Sequence, residues 1–285
     1  MATVRVLLWR VHSRVRNTLK QSRTLIPEDN RWKYTNLNPS APSIKGLIKL
    51  RKPGHPIRPV VNWRNAPSYH LSKLFTQKMN NIAPLPNTFN VKNTTDLLQR
   101  LQVTPMSPHF TLASLDITNL YSNIPVTETR TILTDTLKYH QTDPQTQQEL
   151  LMWYDVISRQ NYFSHNQDLL SQRDGLAMGA PSSGLIAELF LQHMEHTHLT
   201  HLSHKHGIFD CFRYVDDILP IFNPELSDIQ SILTDFNTLH PKLHFTAQTE
   251  RDNTINYLDI SIQKTSHNLR TSIYRKSTFT DSIIP

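Results

Sequence analysis

The stretch CFRYVDDILPIF, residues 211–222, places two neighbouring acids, Asp216 and Asp217, inside an otherwise apolar run. Burying a carboxylate without a partner is costly, so a folded chain accepts such a run only if the acids are partnered. The pattern favours a β-hairpin with the acids at its tip. Because neighbouring residues of a strand point to opposite faces, one acid can face a site while the other supports the turn.

A third acid ends another predicted strand. In HFTLASLDI, residues 109–117, alternate positions from Phe110 to Asp116 share one face. Placed beside the hairpin, this strand brings Asp116 next to Asp216. Carboxylates about 3–4 Å apart cannot all stay ionised without compensation, which a divalent cation supplies. Hard oxygen ligands without thiolate suit Mg²⁺ or Mn²⁺, and two such ions support phosphoryl transfer. The alternative is that the Asp-Asp pair is only a turn dipeptide.

The overall composition narrows the class of protein. The chain has 285 residues, enough for one large domain or two subdomains with a sizeable core. Its single cysteine, Cys211, excludes a disulfide framework and fits a reducing intracellular setting. No apolar run reaches about 18 residues, so no membrane span is predicted. The net charge of +7 favours a polyanionic partner, most simply nucleic acid.

The N-terminal segment is strongly basic, with no acid before Glu28. Mitochondrial transit peptides share this composition. The other interpretation, which we favour, is a partly helical basic arm that contacts a phosphate backbone or solvent. Residues 36–43 are polar and proline-rich, as in a linker. The predicted organisation is a basic arm and linker over residues 1–41, followed by one domain over residues 42–285.

Apolar periodicity and turn residues predict helices that alternate with hairpins, which is typical of an α+β fold. Helices are predicted over residues 91–102, 124–140, 149–158, 181–196 and 226–240. Strands are predicted over residues 243–250, 254–263 and 270–277, with hairpins over residues 44–63 (turn at Pro53-Gly54) and 161–175. Thr94 or Thr95 is expected to cap the first of these helices, and residues 141–148 to form a polar loop. Pro220, which lacks a backbone donor, favours an edge strand. The histidine-rich tract 193–206 is expected to be a solvated helix end and loop, with zinc binding as the alternative.

Three motifs in order resemble those of reverse transcriptases. YVDD (214–217) resembles the metal-binding hairpin, and SLDITNLYSNIP (114–125) resembles the first catalytic motif. The segment QRDGLAMGAPSSGLIAELF (172–190) resembles the glycine-containing motif that contacts template and nucleotide. The resemblance covers residues 42–285. It implies an α+β fold with the fingers and palm of a right-hand polymerase and an antiparallel palm sheet.

A narrower resemblance is to the Penelope-like retroelements, which are related to telomerase reverse transcriptases. It is carried by LDITNLYSNIP, NYLDISI and TSIYRKSTFTD. That family normally continues into a thumb and often into a GIY-YIG endonuclease, whereas this chain stops at TFTDSIIP. The expectation is a chain truncated before both, with reduced processivity because duplex affinity comes largely from phosphate contacts. Several positions depart from the family pattern without removing a metal ligand: Lys45, Ile48, Arg51, Gly184, Gln248 and Ser277.

The resemblance implies roles for matching residues. Asp116, Asp216 and Asp217 would be the catalytic acids and the ligands of two Mg²⁺ or Mn²⁺ ions. Ile117 would offer its backbone carbonyl to the metal. Tyr121 would be the steric gate that blocks a ribose 2′-OH, with core packing as the alternative.

Further residues would bind the nucleotide and the primer. Those expected at the nucleotide are Lys49, Arg58, Tyr121, Gln172, Gly175, Met178 and Gly179. Lys49 and Arg58 would clamp the triphosphate, or serve as a general phosphate-contact surface. Tyr257, Leu258 and Asp259 would position the primer end, or belong to an ordinary sheet core.

The reaction implied by the resemblance is attack of a primer 3′-OH on the α-phosphate of a dNTP. RNA would be the template and pyrophosphate the leaving group, with the RNA–DNA hybrid held through its backbone and minor groove. Two alternatives stay open: an inactive retroelement product that retains the fold and binds nucleic acid, and a different palm enzyme such as a nucleotidyl cyclase. The resemblance also implies an intracellular, nuclear location.

Overall fold

The computed structural model divides the chain into two compact units, each built from two separate segments of sequence. The residues described are 2–49, 54–104, 109–166, 168–265 and 268–275. Unit 1 comprises Met1–Leu85 and Tyr121–Leu191, and unit 2 comprises Pro86–Leu120 and Gln192–Pro285. In the described part of the chain, no helix is both long and apolar enough to cross a bilayer.

The secondary structure mixes helices with short strands, as predicted. The helices are α1 (Ala2–Gln21), α2 (Tyr69–Ile82), α3 (Thr94–Val103), α4 (Leu120–Asn123), α5 (Val126–Tyr139), α6 (Pro144–Ser158), α7 (Ser183–His206) and α8 (Ile229–Thr238), with a 3₁₀ helix at Glu28–Tyr34. The strands are β1 (Ser43–Ile48), β2 (Ile57–Asn62), β3 (Thr111–Ile117), β4 (Tyr162–His165), β5 (Asp168–Ser171), β6 (Ile208–Tyr214), β7 (Asp217–Phe222), β8 (Phe245–Thr249), β9 (Thr254–Tyr257), β10 (Ile260–Lys264) and β11 (Leu269–Ile273).

Unit 1 contains a four-stranded sheet in the order β2-β1-β4-β5. Both predicted hairpins are confirmed, because β1 pairs antiparallel with β2 and β4 pairs antiparallel with β5. In the predicted β1–β2 turn, Gly54 has a φ of 75°, and Pro53 lies outside the described residues. The two hairpins meet through one parallel pair, Ser43 with Ser164.

The N-terminal helix packs on α6 within unit 1. Its apolar stripe is buried, with Val15 and Leu19 at most 1% exposed. The indole Nε1 of Trp153 donates a hydrogen bond of 2.6 Å to the Ser22 hydroxyl just beyond the helix end. The carboxylate of Glu149 accepts bonds from two backbone N–H groups of the segment that follows. The arm expected to lie in solvent or on phosphate is therefore an integral layer of this unit. The boundary at residue 41 itself stays a prediction.

Unit 2 is built on two antiparallel sheets. One has the order β6-β7-β3-β8, and the other is the meander β9-β10-β11. Apolar residues of both sheets, of α3 and of the segment before α3 form one core cluster: Val91, Leu97, Leu101, Leu112, Phe212, Leu219, Ile221, Ile255, Tyr257, Ile260 and Ile262. This core fixes the sheet that carries the acids, because side chains below β3 and β7 have close-packed neighbours.

The edge position expected for Pro220 is wrong. Pro220 lies in β7, which pairs with β6 on one side and with β3 on the other. The β3–β7 ladder pairs Leu112 with Ile221 and resumes only at Leu115 with Ile218. Since proline has no N–H to donate, the ladder is interrupted beside it and continues on both sides.

Three element boundaries also differ from the prediction. Asn93, not Thr94 or Thr95, caps α3, because its side chain accepts the N–H of Asp96 at 2.9 Å. Helix α6 begins at Pro144 inside the expected loop, with the Asp143 side chain as its cap. The strand expected over residues 254–263 is two strands, β9 and β10, since their first pair is Tyr257 with Ile260.

The histidine-rich tract is helical, as α7 runs to His206. Its last residue, His206, is buried in unit 2, where one ring nitrogen contacts the Ser227 hydroxyl and the other contacts the Asp235 carboxylate, each at 2.7 Å. These contacts tie the end of α7 to α8 and to the segment before it. The expectation of a loop over the end of the tract is therefore wrong.

Candidate active site

The sheet of unit 2 brings the three predicted acids to one end of two neighbouring strands. Asp116 of β3 is the direct cross-strand partner of Asp217 of β7. Asp216, in the β6–β7 turn, accepts the backbone N–H of Ile117 on its carbonyl oxygen at 2.9 Å. The sequence predicted Asp116 next to Asp216; the register places Asp217 directly opposite Asp116, with Asp216 adjacent to them in the turn. The side chains of all three acids are partly buried.

The turn between β6 and β7 has an unusual backbone. Tyr214 pairs with Asp217, so Val215 and Asp216 form the turn. Val215 has a φ of 55°, which lies in the left-handed region that β-branched residues disfavour. Such strained positions persist only where the surroundings fix them, and they occur often at functional sites.

Tyr257, expected to position the primer, lies in the core of unit 2. The residue is 2% exposed, and its hydroxyl donates to the carbonyl of Asp217 at 2.8 Å and lies 3.3 Å from the carbonyl of Phe212. Burial, together with the negative charge of Asp217, raises the pKa of this phenol. Leu258 and Asp259 form the β9–β10 turn, with Leu258 at a φ of 54°. The primer role of these residues stays a prediction, and the contact of Tyr257 with the acid-bearing strand is the structural observation.

Unit 1 contains the residues expected at the nucleotide. Gly175 and Gly179 both have positive φ, 81° and 116°. A Cβ at Gly175 would lie 2.2 Å from the carbonyl oxygen of Ser122, and a Cβ at Gly179 would lie 2.3 Å from that of Val61. The two glycines thus permit close packing of the chain against itself, and their role at the nucleotide stays a prediction.

The neighbours of these glycines join separate elements of unit 1. The Leu176 N–H donates to the carbonyl of Tyr121 at 2.6 Å, and Met178 accepts the N–H of Val61 at 2.8 Å. Gln172 donates its side-chain amide to the carbonyl of Asp174 at 2.7 Å. The loop that follows β5 is therefore bonded both to the start of α4 and to strand β2.

The two predicted phosphate clamps lie on the β1–β2 hairpin. Lys49 follows β1, and its backbone N–H donates to the carbonyl of Pro56 at 2.9 Å. Arg58 lies in β2 opposite Leu47, and its side chain is exposed. Both cations belong to unit 1, and their nucleotide role stays a prediction.

Sequence reasoning missed one buried ion pair beside the acids. Arg213, next to the YVDD motif, is 1% exposed and bonds to Glu195 of α7. An arginine inside an apolar strand was a signal that an acid must face it, because buried charges are paired. The sequence offered many acids and no distance information, so the partner was not identifiable.

The fold is that of the palm and fingers of nucleic-acid polymerases. It is similar to telomerase from Candida tropicalis in complex with a telomeric RNA fragment, with a TM-score of 0.61 and 12% identity over 86% of this chain and 46% of that one. Telomerase from Candida albicans gives a TM-score of 0.61 and 11% identity over 84% of this chain and 48% of that one. The RNA-dependent RNA polymerase of a human picobirnavirus gives a TM-score of 0.54 and 12% identity over 78% of this chain and 44% of that one. The chain spans about half the length of the telomerase structures. Identities this low establish fold alone.

The family follows from the sequence match. The family described as reverse transcriptase (RNA-dependent DNA polymerase) matches residues 50–251, which is more than half of the chain. The chain therefore belongs to the reverse transcriptase family. No curated protein matches it significantly.

Polymerases of this family generally use divalent metal ions. Within the described ranges, no three His, Cys, Asp or Glu side chains are grouped closely enough to hold a metal by themselves. That is compatible with Mg²⁺, which usually takes one or two carboxylates and completes its shell with water and substrate phosphates. The cross-strand pair Asp116 and Asp217, with Asp216 one residue away, supplies such donors. The residues present therefore fit a divalent ion that is completed by bound nucleotide.

Proposed function

We propose that this chain catalyses RNA-directed DNA synthesis in a Penelope-like retroelement. The observation that carries the proposal is the pairing of Asp116 with Asp217, beside the Asp216 turn, within a reverse transcriptase domain. Two of the three acids are fixed by the backbone ladder and not by flexible loops. The narrower assignment is supported by the motifs LDITNLYSNIP and NYLDISI in the sequence.

The acids would act by holding the metal ions against the triphosphate. Two Mg²⁺ or Mn²⁺ ions, when bound, would activate the primer 3′-OH and stabilise the charge on the leaving oxygen. Asp116 and Asp217 would hold them from neighbouring strands, and Asp216 would complete the set from the turn. The sheet beneath, which contains Tyr257, keeps these groups from spreading under mutual repulsion. The reaction would join the primer 3′ oxygen to the α-phosphorus of a dNTP, break the bond between the α- and β-phosphates, and release pyrophosphate and the hydroxyl proton.

The residues expected at the nucleotide would bind and select it. Tyr121 would exclude a 2′-OH, and Lys49 and Arg58 would balance the charge of the triphosphate. Gly175 and Gly179 would set the backbone conformation of the loop after β5, which also contains Gln172 and Met178. Ile117 would contribute its carbonyl oxygen beside Asp116.

A primer-extension assay tests the proposal. The wild-type chain, an RNA template with an annealed DNA primer, dNTPs and either MgCl₂ or MnCl₂ should give extended primer. Asp216→Asn should abolish the extension while leaving the fold intact. Asp252→Asn is the matched control, because Asp252 is an exposed turn residue whose positive φ asparagine tolerates. Nucleic-acid binding without any extension would instead support the inactive retroelement product.

The cellular location follows as a proposal from the same function. A retroelement polymerase that acts on chromosomal DNA would work in the nucleus. A fluorescent tag at the C-terminus should give nuclear signal, and mitochondrial signal would favour the transit-peptide interpretation of the basic N-terminal segment.

A further inference from the structure

A buried arginine connects the acid-bearing turn to helix α7. The guanidinium of Arg213 donates from Nε to Glu195 Oε1 at 2.5 Å and from Nη2 to Oε2 at 3.4 Å. The side chains are 1% and 15% exposed, so the pair is largely removed from water. A buried ion pair contributes little net stability compared with well-packed apolar residues, because desolvation offsets the attraction. Its presence here calls for a reason other than stability.

The third contact of the guanidinium supplies that reason. Nη1 of Arg213 donates to the carbonyl oxygen of Val215 at 3.1 Å. Val215 is the turn residue with a φ of 55°, and the next residue is Asp216. The arginine thus holds the peptide that leads directly into the acid, in a backbone conformation that valine alone disfavours. Glu195 in turn fixes the orientation of the Arg213 guanidinium, because two N–H groups of that planar guanidinium already bond to the Glu195 carboxylate.

The backbone of Arg213 is itself fixed. Its N–H donates to the carbonyl of Phe89, and its carbonyl accepts the N–H of Val91, both at 2.8 Å. The Arg213 side chain therefore extends from a backbone position that is hydrogen-bonded to the segment before α3. A side chain anchored in this way can hold a turn in place. A side chain on a mobile strand end would move together with the turn.

The two carbonyl groups of the turn and the first carbonyl of β7 are each bonded to a different element. Val215 accepts from Arg213, Asp216 accepts from the Ile117 N–H at 2.9 Å, and Asp217 accepts from the Tyr257 hydroxyl at 2.8 Å. The donors belong to β6, β3 and β9. The carbonyl groups of Val215, Asp216 and Asp217 are thus each oriented by a donor outside the turn. Removal of the first donor would release the only strained residue of the three.

We propose that Glu195, acting through Arg213, positions the Val215-Asp216 turn so that the Asp216 carboxylate is held ready for a divalent ion. The inference rests on the proposed function, and it makes Arg213 and Glu195 positioning residues that do not touch substrate. Misplacement of a ligand by its supporting groups typically lowers metal affinity about 10–100-fold. The same range is expected here for Mn²⁺.

The test compares variants by two measurements. Arg213→Lys keeps the charge but loses the planar group whose separate nitrogens bond to Glu195 and to Val215 in the native geometry. Mn²⁺ affinity, measured by electron paramagnetic resonance as the binding that Asp216→Asn abolishes, should fall about 10–100-fold, and kcat for primer extension should fall with it. The KM for primer–template should stay within about twofold, because a positioning residue does not contact the duplex.

A double variant guards against misfolding. Glu195→Leu with Arg213→Met replaces the pair by apolar side chains of similar size, which buried pairs usually tolerate. It should fold, judged by circular dichroism and by its urea midpoint, and still show the reduced Mn²⁺ affinity. Arg130→Lys is the matched control, because Arg130 forms a comparable fork with Asp155 in unit 1, and it should leave both measurements unchanged.

The outcomes separate the two proposals. A wild-type chain that extends primers, with Arg213→Lys and the double variant equal to it in Mn²⁺ affinity and kcat, overturns the positioning role alone. A wild-type chain that neither binds Mn²⁺ through Asp216 nor extends a primer overturns the proposed function, and the inference with it.

Discussion

Asp116 and Asp217 face each other directly across the antiparallel ladder of β3 and β7. Like charges in such positions repel, and cross-strand pairs are worth about 0.2–1 kcal/mol either way. We therefore expect the pair to lower the stability of the metal-free protein slightly, and a bound cation to offset the repulsion. Function and stability act in opposite directions at this pair.

The first prediction concerns the charge of Asp116. Asp116→Asn should raise the free energy of unfolding by about 0.2–1 kcal/mol in EDTA, because it removes one of the two negative charges that face each other. The same variant should lose primer extension by more than about 100-fold, since it removes a ligand and not merely a supporting group. Urea unfolding and the extension assay measure the two effects. A variant that is both less stable and inactive would show that Asp116 serves the fold.

A second prediction concerns the loop after β5. Gly175→Ala should destabilise the protein by about 1–3 kcal/mol, because alanine at a φ of 81° is strained and its Cβ would meet the Ser122 carbonyl. Gly184→Ala is the control. Gly184 lies in the first turn of α7 with open space around its Cβ position, so the change should stabilise by up to about 0.5–1 kcal/mol. Equal urea midpoints for the two variants would contradict the close packing described for Gly175.

A third prediction tests the attachment of the N-terminal helix. Ser22→Ala removes the acceptor of the Trp153 indole N–H, which is buried, so the free energy of unfolding should fall by about 1–3 kcal/mol. Ser272→Ala, at an exposed position of β11, should change it by less than about 0.5 kcal/mol. The measurement is thermal or urea unfolding of both variants. If Ser22→Ala matches Ser272→Ala, the helix is attached only loosely to α6.

The fourth prediction is a pH dependence at the start of α3. The Asp96 carboxylate accepts the backbone N–H of Lys92 at 2.8 Å and lies beside Arg100, and these contacts lower its pKa from the ordinary value. A depressed folded-state pKa contributes stability above the unfolded-state pKa of about 3.9, and that contribution is lost as the pH falls through the folded-state value. Wild type should therefore be more stable than Asp96→Asn at pH 7, and the difference should shrink below about pH 4. Urea midpoints at several pH values check this, and a difference that stays constant down to pH 3 would rule out the carboxylate as its cause.

Much of the local structure was predictable because it depends on neighbouring residues. The basic hairpin over residues 44–63 follows from two apolar runs separated by a proline and a glycine. Helix ends were less predictable. Asn93, Thr94 and Thr95 can all cap a helix, and only the backbone angles decide which one does, here the extended Asn93.

Long-range relationships within the site were harder to predict. A change of one residue in the pairing register of β3 and β7 decides which acid lies opposite Asp116. The length of the β6–β7 turn sets that register. With a two-residue turn at Val215-Asp216, Asp217 is already in the strand. The contact of Arg213 with Glu195 joins β6 to α7, and the spacing of residues in the sequence does not identify Glu195 as the partner of Arg213. The sequence therefore identified the acids but not the groups that orient them.

The interior position of β3 has a consequence for synthesis on the ribosome. β3 ends at Ile117, whereas its two neighbours in the sheet begin at Asp217 and Phe245. The nascent strand leaves the exit tunnel with both edges unpaired and must wait while all of Tyr121–Leu191, which belongs to the other unit, is translated. An apolar strand kept waiting in this way is exposed to aggregation. Slow codons upstream of residue 217 would prolong the delay, so yield from a recombinant host should depend on chaperone supply more than on the stability of the finished molecule.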